Sequence, residues 1–195
     1  MAKSRLQMNK SIRFSVSIAV ITFVLAAIFS VVSSSILSGV MWVTGFFIVL
    51  IIVFIGVFFD MLGVAATAAK ETPFHAMAAE RVFGAKEAIL IVRNADRFAS
   101  FCNDVIGDIS GVISGTASTL VVIQLASVLG HGEGTTVQIM IAVMMTSIVA
   151  AFTVGGKAMG KFLGIHHSTS IIFFVGKFIA FLDKKFKIKL LKKKK

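Results

Sequence analysis

FSVSIAVITFVLAAIFSVVSSSILSGVMWVTGFFIVLIIVFIGVFF, residues 14–59, holds no charged side chain over 46 consecutive positions. About 20 apolar residues cross the roughly 30 Å hydrocarbon core of a bilayer, so a run of this length is two spans rather than one. Ser33, Ser34, Ser35, Ser38 and Gly39 supply the turn, which predicts spans over 14–32 and 41–59, with Trp42 at interface depth. A second stretch of the same kind follows. From Phe98 to Gly156 there is no Lys or Arg, and the only acids are Asp104, Asp108 and Glu133. This predicts two more spans, 98–129 and 135–154, around a polar turn at Gly130–Gly134. With 57% hydrophobic residues and mean hydropathy +0.95, the chain reads as an all-α integral membrane protein with four transmembrane helices. The first apolar segment has the outline of a signal peptide, but it runs on past the serines without a polar mature start and reads as an anchor.

The net charge of +11 does not point to nucleic acid, because the basic residues sit where membrane topology rules place them. Lys3, Arg5, Lys10 and Arg13 fill a basic arm over 1–13. Lys70, Arg81, Lys86, Arg93 and Arg97 lie between the second and third spans, and the segment from Lys157 onward is strongly basic. All three belong in the cytoplasm, with both termini inside a multi-pass cell-membrane protein. Within the transmembrane domain, 14–165, residues 64–96 hold the only proline and read as a cytoplasmic helical hairpin. Thr72 is its expected N-cap with Pro73 at the first helical position, Gly84 its stop, and a second helix ends near Asn94. Residues 166–195 form a juxtamembrane amphipathic helix and polybasic tail. There IIFFVGKFIAFL, capped by Ser168 or Thr169, is too short to cross and is expected to lie in the inner leaflet against anionic lipids.

Three acids stand in or beside these apolar runs: Asp60, Asp104 and Asp108. A charged side chain at mid-bilayer depth costs roughly 2.5–3.5 kcal/mol on insertion scales, which marks such acids for ion or proton paths. Asp104 and Asp108 are four apart and share a helical face, beside Gly107, Gly111 and Gly115, whose spacing invites another backbone. Gly155 and Gly156 invite either a helix break with free carbonyls or a close backbone approach. Carboxylate and carbonyl oxygens suit hard cations. The predicted site is therefore Asp60, Asn103, Asp104, Asp108 and Ser110 with the backbone of Gly155 and Gly156, taking Mg2+ as a transported ion. Asp60 reads equally well as an inner-interface residue. The opposing reading is a non-transporting scaffold or regulatory subunit, whose acids only bond neighbouring helices. Lys157 and Lys161 are expected to snorkel to the inner interface. His75 reads as solvated, His131 and Glu133 as a flexible outer turn, and His166 and His167 as linker. A single cysteine, Cys102, allows no internal disulfide. No nucleophile elbow, phosphate loop or His-rich metal motif suggests an enzyme.

GAKEAILIVRNADRFAS, Gly84 to Ser100, resembles the cytoplasmic hairpin and span entry of the cyclin M and CorB/CorC family of magnesium transporters, with Ala95 in place of a proline. The resemblance covers the transmembrane domain over about residues 55–190, and it implies magnesium transport and a homodimer. The departures fall on the implied ion site. A Phe-Phe-Ser-x-x-Glu stretch corresponds to Phe58, Phe59, Asp60, Met61, Leu62 and Gly63, so the serine has become Asp60 and the glutamate Gly63. A Gly-Asn pair falls at Val105 and Ile106, with Asn103, Asp104 and Asp108 nearby. A Gly-Glu-x-x-Pro-Lys stretch is similar to the run from Gly155 to Lys161, without its glutamate and proline. The 14–32 span is additional, and no cytosolic CBS-domain pair is present in the sequence. Aspartates at three nearby positions imply a rebuilt site.

Overall fold

The computed structural model describes residues 2–130 and 134–186; the expected outer turn at His131 and Glu133 and most of the polybasic tail lie outside the described residues. The described chain is helical, with no strand among those residues. Four of its helices are long and apolar enough to cross a membrane: Ile12–Ser38, Trp42–Ala68, Ala95–Val128 and Thr136–His166. Each outruns its expected span. Helix α1 covers Ala2–Ser38, so the basic arm continues into the first span rather than standing apart. Helix α2, Trp42–Ala68, carries on two turns beyond Asp60. At about 1.5 Å per residue, this places Asp60 roughly 12 Å from the end of α2 and inside the helix, not at its margin.

The chain divides into two compact units, 1–56 with 105–154 and 57–104 with 155–195. In the first, α1 packs chiefly on α6, Asp108–Val128. Val105, Ile109 and Ile113 meet Ile18, Leu25 and Ala26 of α1 and Ile52 of α2. Small residues bring α2 close to α6: a Cβ on Gly56 would lie 2.8 Å from Cβ of Ser110, and one on Gly45 would lie 2.9 Å from Val121. Between membrane helices, where apolar burial gives little drive, such close approach is the main source of attraction. Gln124 Nε2 donates to the Leu37 carbonyl at 2.9 Å, adding to the 3.4 Å bond which that carbonyl accepts from Val40 N–H at the end of α1.

Within one chain, only part of the small-residue row on α6 is covered. Gly107 is buried, but Gly111 and Gly115 are exposed, and a Cβ on either meets nothing within 4 Å. The buried stripe of α6 is Ser110, Ser114 and Ser118 with Ile113, Ala117 and Val121. Ser110 and Ser114 donate to carbonyls of their own helix at 2.8 and 2.9 Å, which lets a hydroxyl face an apolar neighbour at small cost.

In the second unit, two short helices follow α2: α3, Thr72–Ala79, and α4, Ala85–Arg93. The cap of α3 is Glu71 rather than Thr72. Its end is a Schellman turn: Val82 N–H reaches the Met77 carbonyl at 2.9 Å and Arg81 N–H the Ala78 carbonyl at 3.1 Å. Arg81 sits at φ 58°, the left-handed position usually given to glycine. Gly84 does not stop α3; at φ 88° it opens α4. Helix α8, Ser168–Phe186, lies along α4, and Phe74, Ala88, Ile91 and Ile172 are fully or almost fully buried in the shared core. The crossing is close because both partners are glycines: a Cβ on Gly176 would stand 2.6 Å from the Gly84 carbonyl. His75 is not merely solvated. Its Nε2 and Arg93 Nε both donate to Glu71 Oε2, at 3.0 and 3.1 Å, joining the two short helices. A carboxylate only accepts, so this pairing puts the His75 proton on Nε2. The His75 bond, then the Arg93 bond, holds the Glu71 carboxyl below its ordinary range.

Candidate functional site

Between α4 and α6 the chain is a short helix α5, Ala95–Ser100, followed by a π-helix over Phe101–Gly107. A π-turn widens the helix by one residue, shifts every later side chain around the axis, and recurs at functional sites. Here it carries Asn103 and Asp104. Asn103 lies with its carboxamide against Gly63 of α2, its Oδ1 in the volume a side chain at that position would occupy. Gly63 is one turn on from Asp60, and residues three apart share a helical face. Asn103 is thereby brought within about a turn of Asp60.

Helix α7, Thr136–His166, closes another side of Asp60. The expected break at Gly155 and Gly156 does not form; the helix runs through both. Of the two readings of those glycines, close approach holds for Gly156. A Cβ there would lie 3.0 Å from Val57. Gly160 and Gly164 repeat the pattern one and two turns on, against Val57 with Met61, and against the Met61 carbonyl with Ala65. Gly155 faces open space. The glycine row sets α7 on the Val57, Met61 and Ala65 side of α2, while Asn103 covers Gly63. Asp60 lies on the seam between them, 5% exposed.

Two buried oxygens at this seam have no hydrogen-bond donor, Asp60 Oδ2 and Asn103 Oδ1. Buried polar atoms are almost always satisfied, and each exception asks for a reason. Lys161 on α7 sets its Nζ 4.0 Å from Asp60 Oδ2, beyond hydrogen-bond range. Lys161 therefore stands beside Asp60 without donating to it. Its side chain is 55% exposed and that of Asp60 is 7% exposed, so the lysine approaches a buried acid from the exposed side.

The other expected site residues are placed differently. Asp104 follows Asn103 in the chain but is exposed. Asp108, also exposed, and Ser110, buried and bonded to the Ile106 carbonyl, belong to the first unit. No group of three or more His, Cys, Asp or Glu side chains suited to a metal ion occurs among the described residues. The oxygen donors gathered at the seam are thus one carboxyl and one carboxamide.

Sequence reasoning missed Gly63 as the bed for Asn103, and Lys161 as the partner of Asp60. It also missed the regular row Gly156, Gly160, Gly164, although four-residue spacing of small residues was there to be read. The π-helix had no comparable signal, since nothing in FCNDVIG distinguishes it from α-helix. Compared with known protein families, curated proteins and solved structures, the chain matches none.

Proposed function

We propose that the chain is a membrane cation transporter or exporter, with magnesium as its cargo and the Asp60–Asn103 seam as its ion site. The observation that carries this reading is the pair of buried, donorless oxygens, on two helices long and apolar enough to cross a membrane, that the seat of Asn103 on Gly63 brings within about a turn of each other. A cation satisfies both at once. Mg2+ sheds water reluctantly and is commonly held by one or two carboxylates with several waters retained, so a site with few protein donors suits it. The likeness to the cyclin M and CorB/CorC transporters supports the reading in one specific way. Where those proteins carry a glutamate this chain has Gly63, and the Asn103 amide takes the vacated space. In this reading residues 64–96 form a cytoplasmic hairpin, both termini are cytoplasmic, and α8 lies at the inner interface. The exposed Phe174, Phe178 and Phe181 of α8 then face acyl chains, beside lysines that attract anionic headgroups.

The test is flux. In proteoliposomes holding a magnesium-sensitive dye, Asp60→Asn is expected to abolish Mg2+ movement while leaving the elution profile of the purified protein unchanged. Wild-type flux in that variant would sink the proposal. A second reading, a non-transporting scaffold or subunit, draws on the open Gly111 and Gly115 of α6, which leave room for another helix, a second copy included. It predicts no Mg2+ flux from the wild-type chain alone, and a change of oligomer size in Gly111→Leu.

A further inference from the structure

Lys161 poses a question that a cation site at Asp60 does not by itself answer. An ammonium placed for structure alone is expected to hydrogen-bond its acid, because a buried charge gains little from a partner it does not touch. Here Nζ stops 4.0 Å from Asp60 Oδ2, and that oxygen has no donor at all. The lysine reaches in from outside: its side chain is 55% exposed against 7% for the acid. Its own helix is seated independently of it, through Gly156, Gly160 and Gly164 on Val57, Met61 and Ala65. A four-carbon stem can therefore swing the ammonium away without moving α7.

We infer that Lys161 is a tethered stand-in for the cargo: its ammonium balances Asp60 in the unloaded protein and must leave before a metal ion reaches the carboxyl. The inference rests on the reading of Asp60 and Asn103 as a cation site and adds its regulation. An ammonium offers hydrogen-bond donors and no oxygen, so it cannot join a magnesium coordination shell. Ammonium and metal ion therefore exclude each other from the seam. Each loading event exchanges one positive charge for two, so the acid faces a cation in both the unloaded and the loaded state. The lysine thus weakens cation affinity and makes release easier.

The experiment is Mg2+ titration calorimetry on the purified full chain in detergent, comparing wild type, Lys161→Gln, Asp60→Asn and the double variant. Removing the ammonium that competes for Asp60, 4.0 Å from its Oδ2, is expected to tighten binding on the order of ten- to a hundredfold. Lys161→Gln should show that gain, and Asp60→Asn should abolish binding in either background. Unchanged or weaker binding in Lys161→Gln, with binding still lost in Asp60→Asn, overturns the stand-in role and leaves the cation site in place. Binding that survives Asp60→Asn overturns both. Should Lys161→Gln not fold, the wild-type protein answers instead. After reductive 13C-methylation, which preserves lysine charge, the Lys161 resonance, identified by its loss in Lys161→Arg, should move on adding Mg2+ but not in Asp60→Asn. A resonance indifferent to Mg2+ refutes the inference.

Discussion

Alanine substitution along the α7 glycines turns the packing of that helix on α2 into a graded measurement. Two effects oppose each other. Alanine is preferred to glycine in a helix interior by about 0.8–1.0 kcal/mol, whereas forcing a methyl group into a filled space costs typically 1–3 kcal/mol. At Gly155 a Cβ meets nothing within 4 Å, so only the gain applies and Gly155→Ala should stabilise by about 1 kcal/mol. At Gly160 the nearest atom is 3.4 Å away, an ordinary contact, and the variant should be stable or slightly better. At Gly156 the clash is 3.0 Å, but with a Val57 methyl that has some room to give. At Gly164 the Cβ would lie 2.8 Å from the Met61 carbonyl oxygen, and backbone does not step aside. Gly164→Ala should therefore fall below Gly155→Ala by about 1–3 kcal/mol, or roughly 2–12 °C in melting temperature for a chain of this size. Fluorescence-detected thermal unfolding in one detergent gives the order directly. Equal melting temperatures for the Gly155 and Gly164 variants would show that α7 does not present this face to α2, and the seam at Asp60 would lose one wall.

Arg81→Gly should stabilise the pair of short helices by about 1–2 kcal/mol, because a left-handed residue with a Cβ becomes one without, and urea unfolding of the solubilised protein measures it. The Glu71 carboxyl is held below its ordinary value of 4.5 by His75 and Arg93, so its contribution to stability is complete above that value and fades as pH falls through the lowered one. Melting temperature followed from pH 6 downward should show a loss in wild type that is reduced in Glu71→Gln; parallel curves would remove the pairing from the account. Single cysteines placed at Ser34 and Gly134, in a chain with Cys102 replaced, should react with an impermeant reagent on whole cells, whereas one at Lys86 should not. The reverse pattern would invert the topology.

Uncharged length made the four long helices readable, since a bilayer admits only segments that satisfy their own backbone. The same rule decides between the two readings of Gly155 and Gly156. Those glycines suggest a break in isolation, but a continuous helix leaves no carbonyl without a donor, and their lack of side chains serves close packing instead. Asp60 was legible as an oddity, being an acid at the end of an apolar run. What surrounds it was not. Asn103 reaches Gly63 through a π-turn that residue types do not encode, and Lys161 approaches from a helix a hundred positions away. The carboxylates that looked most telling, Asp104 and Asp108, are exposed; a four-residue spacing says that two side chains share a face, not which way that face turns.

The union of α4 with α8 carries a cost in time. Arg93 and Ser168 are 75 positions apart, and at about 5–20 residues per second the ribosome needs roughly 4–15 s to travel between them. For that interval the groove around Gly84 and Ala88 has no Ile172 or Gly176 to fill it. A nascent chain stalled before Ser168 should therefore be cut readily by protease between Lys70 and Arg93, and one extended past Phe186 should resist. If so, α8 is the helix that finishes a core begun by α3 and α4, and a factor able to shelter a bare apolar groove during synthesis would raise the yield of folded protein.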